Sequence, residues 1–311
     1  MSLLLEGYPR TLAEFDSRFA TDQACRAYLV QLRWPDGFRC PTCGEKKAWP
    51  VRDGLWQCAA CQRQTSVTAG TIFQDTRTPL TLWFQAMWCV TSTKTGTSAL
   101  GLQQQLGLGS YQTAWAWLHK LRRAMVRPGR ERLSGSVEVD ESFIGGLGGA
   151  EGRSTATKAL IVVAAEEVGH GIGRIRMRRI PRASAEHLDS FLRDVIEPSS
   201  EVHTDGWHGY DHVTALGYRH RITYLRGDHE LAMDQLPRVH RVVSLLKRWL
   251  LGTHQGAVSQ AHLDYYLDEF TFRFNRRRSH HRGKLFFRLV QQAVAVDPVP
   301  YRRLVQRPRR R

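Results

Sequence analysis

Four cysteines fall into two knuckles, CPTC (Cys40, Cys43) and CAAC (Cys58, Cys61), with fourteen residues between them. A C-x-x-C knuckle presents two thiolates from one tight turn, and two knuckles at about this separation suit a tetrahedral zinc site. The intervening KAWPVRDGLWQ predicts a short hairpin turning at Asp53-Gly54. Residues 36–72 are therefore expected to form a zinc ribbon with Cys40, Cys43, Cys58 and Cys61 as ligands of a structural Zn²⁺. A redox-active pair fits less well, because no thioredoxin-like unit follows. Cys25 and Cys89 lie in apolar helical settings and are expected in the core.

Helical patterns flank the ribbon. Residues 1–35 predict an N-terminal helical segment, with one or two short helices over 10–33. Residues 79–126 are helical, broken near Thr95-Gly96 and again at Gly107–Ser110. The second break is followed by Trp115, Leu118, Leu121 and Met125 at helical spacing. Two helices around a glycine turn fit a helix-turn-helix-like DNA-binding module over 79–130, whose second helix could lie in a major groove. Its candidate base-reading residues are Ser110, Gln112, Thr113 and Lys120. Plain helical packing gives the same pattern.

From residue 134 the period changes to that of strands. SVEVDESFIGG alternates, with Val137 and Val139 on one face and Glu138 and Asp140 on the other. KALIVVAAEE (158–167) is a continuous apolar run, and GRIRMRRIP (173–181) pairs back onto it through VGHG. SAEHLDSFLRDVIEP (184–198) predicts an amphipathic helix with Ser184 as N-cap. A strand at 200–206, a helix over WHGYDHVTALGY, another strand and helices at 236–252 and 259–274 follow. Three strands, a helix, then alternating strand and helix is the layout of a ribonuclease H-like core, expected over 134–290. The fold class is thus α/β: a ribonuclease H-like catalytic core preceded by a zinc ribbon and a helical module. The glycine stretch IGGLGGAEGRSTATK (144–158) lacks the G-K-[ST] of a phosphate loop and is expected to connect the first two core strands.

Charge points to the partner. The 311 residues include 45 Lys and Arg against 29 Asp and Glu, a formal net charge of +16. Such a surplus favours a polyanion, with nucleic acid first. The Arg residues are clustered in FRFNRRRSHHRGK (272–284), which includes Arg276, Arg277 and Arg278, and in a basic C-terminal tail over 291–311. No apolar run is long enough for a membrane span. The N-terminus lacks the basic region of a signal peptide, so the expected location is cytoplasmic and nucleoid-associated.

Asp140 is expected at the end of the first core strand and Asp205 at the end of the fourth, neighbours in a ribonuclease H-like sheet. Carboxylates shared by two divalent cations can run phosphoryl transfer, and Mg²⁺ prefers such hard oxygen ligands. Taken singly, Asp205 could be a helix N-cap and Asp140 an edge carboxylate beside Glu138 and Glu141. His240 follows Asp205 after 34 intervening residues, and Lys247 stands seven residues further on, two helical turns along the same face.

With CPTC…CAAC, SVEVDESFIGG, VHTDGWHGY, LLKRWLLGTHQG and HLDYYLDEFTFRFNRR, nearly the whole chain resembles bacterial insertion-sequence transposases. The likeness is to the DDE-type branch that carries an N-terminal zinc ribbon. The resemblance implies that Asp140 and Asp205 are the first two metal ligands and that position 240 is the third. It makes Lys247, with Arg248 beside it, the basic partner near the scissile phosphate. Imidazole at the third position suits Mn²⁺ better than Mg²⁺. A different register puts the third ligand at Leu245, which can coordinate nothing and implies an inactive copy. Glu269 is a further acidic candidate, in an apolar helical context that suggests a structural carboxylate.

The implied activity is transposition: metal-dependent cutting of transposon ends, then attack of the freed 3′-hydroxyl on target DNA. The implied partner is double-stranded DNA, bound by a homodimer or higher oligomer, and no membrane. A related nuclease or resolvase, or a transposase-derived DNA-binding regulator without activity, would share most of these features.

Overall fold

Thr11 and Thr21 start the first two helices, α1 (Leu12–Arg18) and α2 (Asp22–Arg33). Each hydroxyl accepts from a backbone N–H three residues on, as an N-cap does. The computed structural model describes residues 7–52, 54–127, 129–145, 158–223, 236–256 and 258–305. It divides into two units, residues 1–127 with 278–311, and residues 128–277.

In the first unit a three-stranded antiparallel sheet follows α2: β1 (Ala48–Arg52), β2 (Leu55–Cys58) and β3 (Gln64–Ser66). The expected hairpin is present as β1 and β2, although Asp53 of its turn lies outside the described residues. The ribbon has a small core of Phe38, Cys40 and Cys58, with Trp34 and Trp56 against it. Arg33 ties it to α2 by donating to the carbonyls of Ser66 (2.9 Å) and Val67 (2.6 Å).

Three helices follow, α3 (Leu80–Ser92), α4 (Ala99–Leu106) and α5 (Tyr111–Ala124), with breaks where the sequence predicts them. Apolar side chains surround α3, which forces it to the centre of its unit. Its Phe84 and Trp88 join Phe15, Phe19 and Phe286 in one aromatic cluster. Phe286 belongs to α9 (Arg282–Ala293), whose Gly283 lies so close to the N-terminal segment that a Cβ would sit 1.6 Å from the carbonyl oxygen of Pro9. This helix falls in the first unit, while the second unit ends at Arg277, within the 134–290 span expected for the core. A short helix, α10 (Tyr301–Val305), follows it; residues 306–311 of the expected basic tail lie outside the described residues.

The second unit is built on a five-stranded sheet in the order β6-β5-β4-β7-β8. Its strands are β4 (Ser136–Ile144), β5 (Ala159–Val168), β6 (Gly171–Ile180), β7 (Glu201–Thr204) and β8 (Arg219–Ile222). The first three pair antiparallel, while β7 and β8 add parallel to β4. On one face Val137, Val139, Val162 and Ala164 pack against Leu188, Phe191, Leu192 and Val195 of α6 (Ala185–Val195). The other face carries Ile161, Val163, Ile175 and Met177 under α7 (Pro237–His254) and α8 (Leu263–Phe274). This is the ribonuclease H-like arrangement the strand pattern predicts.

Three local expectations change. Asp140 lies within β4, not at its end, because the antiparallel pairing with β5 continues to Ile144–Ala159 after the parallel partner β7 has stopped at Thr204. The helix expected over WHGYDHVTALGY is two 3₁₀ turns, His208–Tyr210 and Thr214–Leu216; Gly217, at φ +88°, ends the second. Ser184 takes the cap position of α6, but its Oγ is held by His187 Nδ1 at 2.7 Å and makes no side-chain cap. Of the glycine stretch, 146–157 lie outside the described residues.

Candidate active site and metal centres

Two tight turns bring the four ribbon sulphurs together. Cys40 and Cys61 Sγ are 3.6 Å apart, Cys43 and Cys58 Sγ are 3.5 Å apart, and all four lie within 4.8 Å of one another. Zn–S bonds of about 2.3 Å define a tetrahedron with edges of about 3.8 Å, so the donor set fits a structural zinc. Backbone N–H groups of Cys43 and then Thr42 pull the Cys40 thiol down to about 6. Cys43, against a backbone N–H from Glu45, is pushed up to about 12 by its Cys58 neighbour and burial. The cluster thus shares its protons among the sulphurs until a metal replaces them. Purified protein should hold about one zinc per chain. Cys43→Ser should lose it, and full zinc content in a Cys43→Ser/Cys58→Ser double variant would rule the site out.

In the second unit the strand period of two puts Glu138 and Asp140 on the face of β4 that α7 covers. The parallel register pairs Glu138 with His203, and extending it by two residues brings Asp205 level with Asp140. Asp205 follows β7 directly, and its Oδ1 accepts from the Trp207 N–H at 3.0 Å. His240 enters from the first turns of α7, with Nε2 3.9 Å from Asp140 Oδ2 and the two side chains 29% and 18% exposed.

What aims α7 is Glu138, which the strand alternation marks only as a neighbour of Asp140. Its carboxylate is fully buried and accepts from the backbone N–H of Arg238 (2.7 Å) and Val239 (2.9 Å). Those are free N–H groups of a helix that begins with Pro237, so Glu138 caps α7 from across the fold. The Arg238 guanidinium closes the pair at 2.7 Å.

Glu138, Glu167 and His203 also converge, a grouping that resembles a metal site. Arginines fill it instead. Arg221 bonds Glu167 (2.5 Å) and His203 Nδ1 (2.9 Å), and Arg238 bonds Glu138 and lies 3.7 Å from Glu167. Guanidinium groups already supply the positive charge there, and burial together with Arg221 lowers the His203 pKa. This network is structural.

The acidic residues at Asp140 repel one another. Burial first, then the charges of Glu141, Asp205 and Glu138, raise Asp140 from 3.8 to about 7. Burial raises Glu141 from 4.5 to about 7 with help from Asp205, against a hydrogen bond from the Tyr210 hydroxyl that lowers it. Between about pH 4 and pH 7 the unfolded chain has released these protons while the folded protein keeps them. Folding stability from these groups therefore falls as pH rises through that window and is level above it. Asp140→Asn should be stabilised relative to the wild type by an amount that is small at pH 5 and larger at pH 8, with no Mg²⁺ or Mn²⁺ added. Thermal unfolding at the two pH values checks this, and an equal gain at both would contradict it.

The remaining candidate residues are placed as follows. Leu245 packs against the apolar cluster under α7, 140° around the helix from His240 at 100° per residue. Lys247 and Arg248 are exposed on α7. Ser110 and Thr113 are engaged with each other at the start of α5: the Ser110 Oγ accepts from the Thr113 N–H (3.1 Å) and lies 2.9 Å from its hydroxyl. Gln112 is exposed, and Lys120 lies half-buried with its ammonium 5.9 Å from the centroid of the Trp83 ring. Ala114, Ala116, Trp117, Leu118 and Leu121 are all buried, and the exposed residues of α5 are Tyr111 and Gln112 in its first turn. Arg276 stacks on Phe272, and Arg277 stacks on Phe274 while donating to the carbonyls of Ile172, Gly173 and Phe274. Arg278 is exposed, and Glu269 is buried at 1% exposure within α8.

Comparison with known proteins adds three findings. Residues 132–275 match the ISXO2-like transposase domain, and residues 20–64 match the transposase zinc-ribbon domain. An uncharacterized protein in transposable element ISH50 of Halobacterium salinarum is 27% identical over 276 residues, covering 82% of this chain and 91% of that relative. No helix among the described residues is long and apolar enough to cross a membrane.

Proposed function

We propose that this chain, which belongs to the insertion-sequence transposases that join a zinc ribbon to an ISXO2-like domain, cuts the ends of its element and joins them to target DNA by metal-dependent phosphoryl transfer. The observation that carries the reading is the approach of His240 to Asp140 on the strand whose parallel neighbour leads into Asp205. Asp140, Asp205 and His240 are the proposed ligands of the divalent cation, Mg²⁺ or Mn²⁺. A carboxylate cluster in which protons are retained to about pH 7 suits a cation that would replace them. A cation bound there would activate the attacking oxygen and stabilise the leaving one.

The chain's own residues do the rest. Glu138 fixes the start of α7, and so the direction of His240. Lys247 lies about 10 Å further along the helix and within about 20° of the same face, exposed and placed to take a phosphate beside the reacting one. Arg248 and Arg278, also exposed, supply further phosphate contacts whose strength should fall with salt. Arg277 serves the fold as well, holding β6 against α8, and Arg276 packs on Phe272 of α8. In the N-terminal unit, the exposed Gln112 is the proposed reading residue at the start of α5, with Ser110 and Thr113 shaping that turn and Lys120 behind it. Two ends must be held together, so the acting form is a homodimer or higher oligomer.

Incubating the protein with a duplex that carries the inverted repeats flanking its gene, Mn²⁺ or Mg²⁺ and a supercoiled plasmid tests the reading. The expected products are metal-dependent 3′ ends and their covalent joints to the plasmid. Cleavage with no joints would favour a nuclease, and binding with no cleavage a regulator.

A further inference from the structure

Trp207 stands two residues after Asp205 and is 42% exposed, yet its indole is held in place. The ring Nε1 donates to the Ala183 carbonyl at 3.3 Å, and the His208 ring lies 3.8 Å from the indole, centroid to centroid. Gly209 completes the seat: a Cβ there would fall 2.8 Å from Trp207 Nε1, 2.9 Å from its Cδ1 and 2.9 Å from Leu188 Cδ1. The backbone on either side is fixed too, since the Trp207 N–H donates to Asp205 and its carbonyl accepts from Tyr210 at 2.9 Å. A large aromatic surface is thus kept facing solvent in one orientation, beside a proposed metal ligand.

We propose that Trp207 is a stacking platform for an unpaired nucleobase next to the phosphate that reacts. The proposal rests on the transposase reading, which brings a phosphodiester to Asp205. An indole tethered two residues away can reach only the nucleoside attached to that phosphate or its immediate neighbour. Inside a duplex both faces of that base are covered by neighbouring pairs, so stacking on Trp207 requires the base to leave the helix. Stacking offsets the unpairing and is tolerant of base identity, because every base offers a π face. A rigid ring suits this role better than a mobile one, since no side-chain freedom is lost on binding.

The test uses the full zinc-loaded chain, with no Mg²⁺ or Mn²⁺ so that nothing is cut. Its probe is a forked duplex carrying 2-aminopurine at the first unpaired position, compared with the same duplex fully paired. Wild-type protein should quench the fork's fluorescence. Trp207→Ala should abolish the quench and weaken fork binding roughly 5- to 150-fold, with fully paired binding unchanged. Trp207→Phe, which keeps an aromatic face, should recover part of both. Thermal unfolding of each variant guards against a folding defect, and if the Ala variant is unfolded the Phe variant decides alone. A Trp207→Ala protein that still quenches, or that loses equal affinity for both probes, overturns the proposal. So does a folded Phe variant with no quench, or an effect confined to self-association. Quenching by a wild type that neither cuts nor joins ends would support the platform and overturn the transposase reading. Cutting and joining without a Trp207-dependent quench would do the reverse.

Discussion

Glu138→Ala should destabilise the folded protein by about 3–5 kcal/mol, the cost of removing one partner from a buried ion pair. Two effects combine. Arg238 loses the carboxylate that neutralises it in a site where its side chain is only 17% exposed, and α7 loses the acceptor for two N–H groups of its first turn. Glu138→Gln keeps an acceptor for the helix but not the charge, and should fall between the two. Urea unfolding of the full chain, following the transition of the 128–277 unit, measures both. A loss of less than about 1 kcal/mol for the Ala variant would show that α7 is held by its apolar face alone. Backbone amides of residues 238–241 should also exchange faster in the variant than those near Leu250.

His240→Ala should lower metal-dependent cleavage by at least about a hundredfold, because even residues behind a metal ligand are worth 10- to 100-fold. Binding of end DNA should be nearly unchanged, since no phosphate contact is removed. His240→Glu replaces imidazole with a harder ligand and should retain activity with Mg²⁺. The contrasting substitution is Leu245→Asn. Its side chain would enter the apolar cluster under α7, so it should cost stability and add nothing to metal affinity. If Leu245→Asn raised cleavage while His240→Ala left it intact, the register of the site would be wrong. Gel assays with the same end duplex report cleavage and binding together.

Particular residues show why the sequence revealed some of this and concealed the rest. The cysteine knuckles are local, and two turns suffice to place them. The alternation of Val137, Glu138, Val139 and Asp140 set the faces of β4, and the gap from Asp205 to His240 set the distance to α7. The task of Glu138 depends on a partner 100 residues away, and no local pattern marks a carboxylate that caps another element's helix. The extent of β4 was hidden for a related reason: parallel pairing with β7 ends at Glu138, two residues before Asp140, while the antiparallel edge runs on to Ile144. Enclosure of α5 was there to be read, because Ala114, Ala116 and Trp117 extend its apolar surface beyond the stripe of Leu118 and Leu121. The Arg-rich run at 272–284 looked like one patch, yet Arg276 and Arg277 are spent on aromatic rings and carbonyls while Arg278 faces solvent. Charge counting cannot separate those uses.

The claim that His240 completes a divalent-metal site with Asp140 and Asp205 is tested most directly by electron spin-echo spectroscopy of Mn²⁺ bound to the full zinc-loaded chain. Wild-type protein should show nitrogen modulation from one coordinated imidazole. In His240→Gln the modulation should vanish, with Mn²⁺ bound more weakly, and in Asp140→Asn binding should be lost. Mn²⁺ bound with full affinity and no nitrogen modulation in the wild type, or with modulation that survives His240→Gln, would contradict the assignment.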